Sequence, residues 1–167
     1  MTGGVSSETF TQTLSADSIE AGGGTGVDTY VAVTALNEAG SSPASAGSIV
    51  NLGDTAVTSA AVIAATANHI SGNLASVAAG NVGYIFSSNA TANSAVVDTV
   101  GGIENVTGST GIDYIVGTSG DNTITGDAGA DYISGGAGSD TITGGAGIDT
   151  ILLGASDAVA DTVSLTG

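Results

Sequence analysis

The chain contains neither lysine nor arginine, against 16 acidic residues, and its formal net charge is −16 at pH 7. Without basic side chains nothing contacts phosphate electrostatically, so we expect no nucleic-acid partner, and anionic membrane surfaces are disfavoured for the same reason. Cysteine is absent, which excludes disulfides and thiolate metal sites. The single histidine, His69, excludes a multi-histidine zinc site. So many like charges repel one another unless water separates them or small cations neutralise them.

Long apolar runs are also missing. No stretch of about 18 apolar residues occurs, so we expect no transmembrane helix and no direct membrane insertion. Residues 1–18 have neither the basic nor the apolar region of a secretory signal peptide. Aromatic residues make up 4% of the chain and there is one proline, whereas there are 28 glycines. Glycine must therefore build most turns, and the small and β-branched residues suit short, regular strands.

A nine-residue repeat dominates the second half of the chain. Five copies follow one another without a gap from Gly108 to Leu152, with glycine at the first and fourth places and isoleucine at the eighth. Degenerate copies flank them at 99–107 and 156–164, and an isolated copy occupies 23–31. The sixth places hold an acid or an amide: Asp28, Glu104, Asp113, Asn122, Asp131, Asp140, Asp149 and Asp161.

Each copy has the chemistry of a tight turn followed by a short strand. Glycines permit positive φ, so six residues curl with their carbonyl groups turned inward, and the last three extend. Three-residue strands need neighbours, so the copies are expected to wind into a coil of parallel strands, with turns stacked on turns and isoleucines stacked inside. Each gap between turns is then lined by carboxylates and by carbonyl oxygens, including those of Gly126, Gly135 and Gly144. Such an anionic, all-oxygen cage favours calcium, which accepts irregular oxygen shells, over magnesium.

This array resembles the RTX family of secreted bacterial proteins, most clearly over residues 108–152. The resemblance implies a parallel β-roll in which two nonapeptides make one turn, so that alternate copies stack on the same side. The two sides would carry Asp113, Asp131 and Asp149 on one, and Glu104, Asn122 and Asp140 on the other. Asn122 brings no charge, so its sites are expected to be weaker, with Asp121 and Asp127 in neighbouring turns available to compensate. The resemblance also implies passage through a type I secretion exporter and folding outside the cell when calcium binds.

The fold class that we expect is all-β, a parallel β-roll or β-solenoid behind a less regular N-terminal half that is compatible with short helices. The expected division is 1–31 for the segment with the isolated repeat, 32–98 for an irregular strand-rich region, and 99–167 for the calcium roll and C-terminal tail. In the middle region, residues 48–52 and 81–88 are expected to form strands, whereas 55–80 fits helices and strands equally well. Tyr114 and Tyr132, at seventh places, should face outward.

These features favour a structural protein over an enzyme. No catalytic motif surrounds His69, and the repeats with their strand-rich flank leave little room for a catalytic domain. We expect a bacterial protein, secreted or at the cell surface, that assembles with copies of itself into a surface layer, filament or matrix. Unpaired strands at the coil ends would invite this assembly, and the copy at 23–31 is available to dock on a neighbour's array.

Two alternatives remain open at this stage. In the first alternative, the chain is the C-terminal, calcium-dependent folding and export module of a larger secreted enzyme or adhesin. In the second alternative, it is a surface protein whose threonine-rich outer faces recognise sugar or ice.

Overall fold

The computed structural model describes residues 6–11, 18–21, 26–32, 47–53, 55–57, 80–84, 97–154 and 160–165. These residues form strands and turns, and none of them lies in a helix, so this part of the chain has no helix able to span a membrane. The strands are β1 (Thr9–Thr11), β2 (Ser18–Glu20), β3 (Thr29–Val31), β4 (Ser48–Asn51), β5 (Asn81–Tyr84), β6 (Val97–Gly101), β7 (Asn105–Thr107), β8 (Tyr114–Val116), β9 (Thr123–Thr125), β10 (Tyr132–Ser134), β11 (Thr141–Thr143), β12 (Thr150–Leu152) and β13 (Thr162–Ser164).

Two sheets form the walls of a roll. The first has six strands in the order β1-β3-β7-β9-β11-β13, and every pair in it is parallel. The second has seven strands in the order β12-β10-β8-β4-β5-β6-β2. Successive copies of the repeat alternate between the sheets, so Ile124 pairs with Ile142 in one and Ile115 with Ile133 in the other. The predicted parallel β-roll, with two nonapeptides in each turn, is confirmed.

The core is a stack of eighth-place side chains between the two sheets. Isoleucines 115, 124, 133 and 142 are all 0% exposed, because strand alternation turns the middle residue of each three-residue strand inward. The stack continues through Val106 into Tyr30 and Phe10 of the front segment. Tyr30 pairs with Val106, so the isolated copy docks on this chain's own array and not on that of a neighbour.

The middle of the chain inserts strands into one sheet only. Strand β4 runs parallel to β8 and antiparallel to β5, which in turn runs antiparallel to β6. The seven-stranded sheet therefore has two more strands between β6 and β8 than the roll requires, whereas β7 and β9 are direct neighbours in the other sheet. The strand predicted at 48–52 is confirmed, and the one predicted at 81–88 is seen over its described residues, 81–84. Most of 55–80 lies outside the described residues.

The two repeat tyrosines lie on the outer face of the roll. The rings of Tyr114 and Tyr132 stack with their centroids 4.6 Å apart and their planes 10° from parallel. Tyr114 is only 7% exposed, because it packs in one apolar cluster with Ile49 of the inserted strand β4 and with Val57. Both tyrosines therefore point outward from the roll and pack on neighbouring rungs, as predicted, and the inserted segment covers Tyr114 on that outer face.

Candidate metal centre

The sixth-place side chains form a ladder along each side of the roll. On one side Asp131 Oδ1 accepts the backbone N–H of Asp113 at 2.9 Å, and Asp149 Oδ1 accepts that of Asp131 at 3.0 Å. The other side repeats this contact at 2.9 Å in two pairs, Asp140 with Asn122 and Asp161 with Asp140. Parallel register causes this, because it places each sixth residue over the one a full turn earlier. The ladder uses one oxygen of each carboxylate and leaves the second for another partner.

The ladder reaches the front of the chain. Asp28 Oδ1 accepts the N–H of Glu8 at 2.8 Å, and Glu104 Oε2 accepts the N–H of Asp28 at 2.7 Å. Glu8 was not among the predicted site residues. The signal that could have found it is its place two residues before Phe10, since Asp28 stands in the same relation to Tyr30. Both Asp28 and Glu104 are thus brought to the same side of the roll as Asn122.

The turn that begins at Gly126 offers no hydrogen-bond donor to the second oxygen of Asp131, and we call such a turn open. Asp131 is 2% exposed, and its Oδ2 has no hydrogen-bond partner among the described residues. A Cβ added to Gly126 would collide with this Oδ2 and with the carbonyl oxygen of Gly144 in the next turn. The space beside Gly126 is therefore lined by oxygens from two stacked turns. An unpartnered buried carboxylate oxygen is costly, so this geometry requires a cation or a proton.

The first-place glycines make this arrangement possible. A Cβ on Gly135 would strike Asp140 Oδ2, and one on Gly144 would strike Asp149 Oδ2, as on Gly126. The following residues also adopt the left-handed region, with φ of 79° at Asp127, 104° at Gly136 and 106° at Gly145. These turns hydrogen-bond directly to one another, since the Ala146 N–H donates to the Asp127 carbonyl oxygen at 2.8 Å. Gly126, Gly135 and Gly144 thus each lie beside the carboxylate of a sixth-place aspartate.

The electrostatics of the open turn also favour a bound cation. The pKa of Asp131 is raised to about 8, mainly by burial and also by the charges of Asp113, Asp149 and Asp127, against a backbone hydrogen bond from Asp113 that lowers it. Burial likewise raises the pKa of Asp113 to about 7, although hydrogen bonds from Ser48 and Ser109 oppose this. Without a counter-charge these carboxyl groups hold protons near neutral pH, and a divalent ion would displace the protons.

In the two turns that begin at Gly108 and Gly117, a hydroxyl-bearing residue donates hydrogen bonds to the sixth-place side chain, and we call these turns closed. Asp113 Oδ2 accepts the N–H of Ser109 at 2.7 Å and also its hydroxyl, while Asp113 Oδ1 accepts the N–H of Ser48. Asn122 Oδ1 accepts the N–H of Thr118 at 2.8 Å and its hydroxyl at 3.1 Å. Both oxygens of Asp113 and the amide oxygen of Asn122 therefore have protein donors.

The remaining predicted ligands lie at the surface of the turns. Asp121 is exposed, and its Oδ1 accepts the N–H of Ser139 in the next turn at 2.8 Å. Asp127 is also exposed. The described residues contain no cluster of three or more His, Cys, Asp or Glu side chains.

Comparison with known families decides which ion this geometry serves. A family model described as the RTX calcium-binding nonapeptide repeat (4 copies) matches residues 99–124, 107–142, 116–151 and 134–157. Residues 99–157 of the chain therefore consist of RTX calcium-binding nonapeptide repeats. RTX repeats bind calcium, and the oxygen-only lining of the open turn, with its buried unpartnered Asp131 oxygen, fits that ion. A comparison with curated proteins found no match to the chain.

Proposed function

We propose that this RTX-repeat protein is an extracellular structural protein that folds on calcium after export and then assembles with copies of itself. The calcium-binding role is supported by the buried carboxylate of Asp131, because its Oδ2 faces the oxygen-lined space beside Gly126. Asp131 and Asp149 are the proposed carboxylate ligands of that gap, with turn carbonyl groups including that of Gly144. Asp140 and Asp161 are their counterparts on the other side of the roll.

Calcium dependence would couple folding to export. Extracellular calcium modules bind with a Kd on the order of 0.1 to 1 mM, far above cytosolic calcium, so the open turns would stay unformed inside the cell. A type I exporter needs a chain that can be threaded, and a net charge of −16 without calcium favours an expanded chain. Outside the cell, calcium supplies the missing counter-charge and the turns close around it.

The C-terminal end of the roll supports assembly. Ile148 is 87% exposed, Leu165 76% and Leu153 49%, whereas the interior isoleucine stack is fully buried. In the described part of the chain, β1 and β13 are the two outer strands of the all-parallel sheet. The outer edge of β13 therefore has the direction needed to pair with β1 of a second copy, and unpaired parallel edges of this kind template association. We propose a surface layer, filament or matrix as the product, and no catalytic role.

The test is a calcium titration of the full chain, followed by circular dichroism and by sedimentation in the same samples, with magnesium as the matched control. We expect strand signal and particle mass to rise with calcium and both to reverse on chelation. Ile148→Asn and Leu165→Asn should fold normally and sediment as smaller particles. A folded, calcium-bound chain that remains monomeric would instead favour a folding and export module of a larger secreted protein. Equal folding in excess chelator would overturn the calcium proposal itself.

A further inference from the structure

We infer that the calcium array is polarised: the turns closed by Ser109 and Thr118 take no ion, and calcium enters only the turns from Gly126 onward. Once the chain is outside the cell, the part of the roll before Gly126 forms without bound metal and serves as the template on which the calcium-dependent turns build. This inference rests on the proposed calcium function and specifies where along the chain it acts.

The second place of the repeat separates the two kinds of turn. It holds Ser109 and Thr118 in the closed turns, and Asp127, Gly136 and Gly145 in the later ones. In a closed turn the second residue directs an N–H and a hydroxyl at the sixth-place side chain, as Ser109 does toward Asp113 and Thr118 toward Asn122. These donors carry partial positive charge at the position that a cation needs, so they satisfy the oxygen and exclude the ion.

Backbone conformation reinforces this separation. Among the described residues Asp127 is the only non-glycine with positive φ, so Ser109 and Thr118 lie outside the left-handed region that the later second places adopt. A β-branched threonine is strongly disfavoured there, so Thr118 cannot take up the open conformation without strain. In the turn that begins at Gly126, no N–H reaches the second oxygen of Asp131, whose Oδ2 has no hydrogen-bond partner among the described residues.

Two sixth-place side chains at the front of the roll have hydrogen-bond partners from other strands or turns. Ser48 from the inserted β4 donates to Asp113, and the Asn122 side-chain amide donates to the Glu104 carbonyl oxygen at 2.6 Å. Phe10 and Tyr30 extend the core into this region, and the cluster of Tyr114, Ile49 and Val57 covers its outer face. These contacts stabilise the front of the roll by burial and by hydrogen bonds within the protein, which do not depend on an ion.

Hydrogen–deuterium exchange on the full chain, in chelator and in calcium, tests the inference. We expect the amides of β3 and β7 to be protected in both conditions, and those of β11, β12 and β13 to become protected only with calcium. Loss of protection throughout the chain in chelator would overturn the polarised array while leaving the calcium function intact. Absence of any calcium effect would overturn the proposed function.

A variant tests the closing residue directly. Ser109→Gly removes the hydroxyl and admits positive φ beside Asp113, so the number of calcium ions bound, measured by equilibrium dialysis, should rise by one. Ser119→Gly, at an exposed position of the neighbouring closed turn, is the matched control and should leave the number unchanged. An unchanged number in a folded Ser109→Gly protein would overturn the role given to Ser109. If this variant does not fold, the exchange pattern of the unmodified chain still decides the question.

Discussion

Asn122 donates its side-chain amide to the carbonyl oxygen of Glu104 across one turn of the roll, at 2.6 Å. One turn later, Asp140 at the equivalent place does the reverse and accepts the N–H of Asn122. Asn122 is therefore an inverted step in the ladder, because Glu104 before it and Asp140 after it both accept an N–H from the preceding turn.

Asn122→Asp should weaken the calcium-free protein. A carboxylate would face the Glu104 carbonyl oxygen with no proton to donate, and losing a buried hydrogen bond of this kind costs about 1–3 kcal/mol. Urea unfolding in chelator should therefore show a lower midpoint. Asn105→Asp is the control, because Asn105 Oδ1 only accepts from Thr123 N–H and a carboxylate can do the same. Equal midpoints for the two variants would contradict the account of Asn122.

Asp131→Asn should lower calcium affinity without dismantling the ladder. Its amide oxygen can still accept the Asp113 N–H, but the charge that faces the gap is lost. We expect the calcium midpoint of folding to rise by about tenfold or more, which corresponds to about 1.4 kcal/mol. Asp121→Asn makes the same charge change at an exposed side chain and should leave the midpoint nearly unchanged. The ligand assignment fails if both variants shift it equally.

Gly136→Ala should destabilise the roll at an open turn. The residue has φ of 104°, and a Cβ there would also collide with the carbonyl oxygen of Thr118 in the stacked turn. The conformation alone costs about 1–2 kcal/mol. Gly120→Ala is the control, since its Cβ would approach only the Thr118 hydroxyl, at 3.8 Å. Thermal unfolding in calcium should separate the two, and a control as unstable as Gly136→Ala would argue against stacked turns.

Ile133→Ala should cost about 2–5 kcal/mol, because this side chain is 0% exposed in the central stack and truncation leaves a cavity. Ile148→Ala removes the same atoms from a side chain that is 87% exposed and should have little effect on unfolding. Calcium-saturated urea titrations measure both. A small loss for Ile133→Ala would mean that the stack is not the core.

Acid should partly replace calcium. The folded-state pKa of Asp131, about 8, lies above the ordinary value of 3.8, so the folded state holds a proton that the unfolded state releases. In the calcium-free roll, the contribution of Asp131 to the free energy of unfolding should therefore be largest below about pH 4. This contribution should be lost as the pH rises toward 8. Circular dichroism in chelator across this range checks the sign, and Asp131→Asn should flatten the curve. Stability that rises with pH in chelator would contradict the burial of Asp131.

The repeat made much of this architecture predictable. A period of nine with one inward isoleucine in each copy dictates the stack from Ile115 to Ile142, and a three-residue strand can be stable only among neighbours. The two sides of sixth-place residues follow from the same period. The triplets at 8–10 and 98–100 also belong to the roll, but the spacings that separate them from neighbouring copies are irregular, so periodicity does not reveal them.

Other features depend on contacts between distant parts of the chain that no sequence pattern indicates. The partner of β4 is β8, more than 60 residues later in the chain, and its Ser48 N–H completes the shell of Asp113. Ser109 and Thr118 look like neutral turn residues in the sequence. Only the three-dimensional turn shows that their donors occupy the space that the later repeats leave to an ion.

The inserted strands β4 and β5 also set the geometry of anything built from this roll. They add two strand spacings, about 9–10 Å in total, to one wall and nothing to the opposite wall. The rungs before and after them therefore cannot share a straight axis, and the roll must bend away from its longer wall. Copies joined end to end would inherit that bend at every subunit, so the resulting fibre would coil or close into a ring, with the longer wall on its convex side.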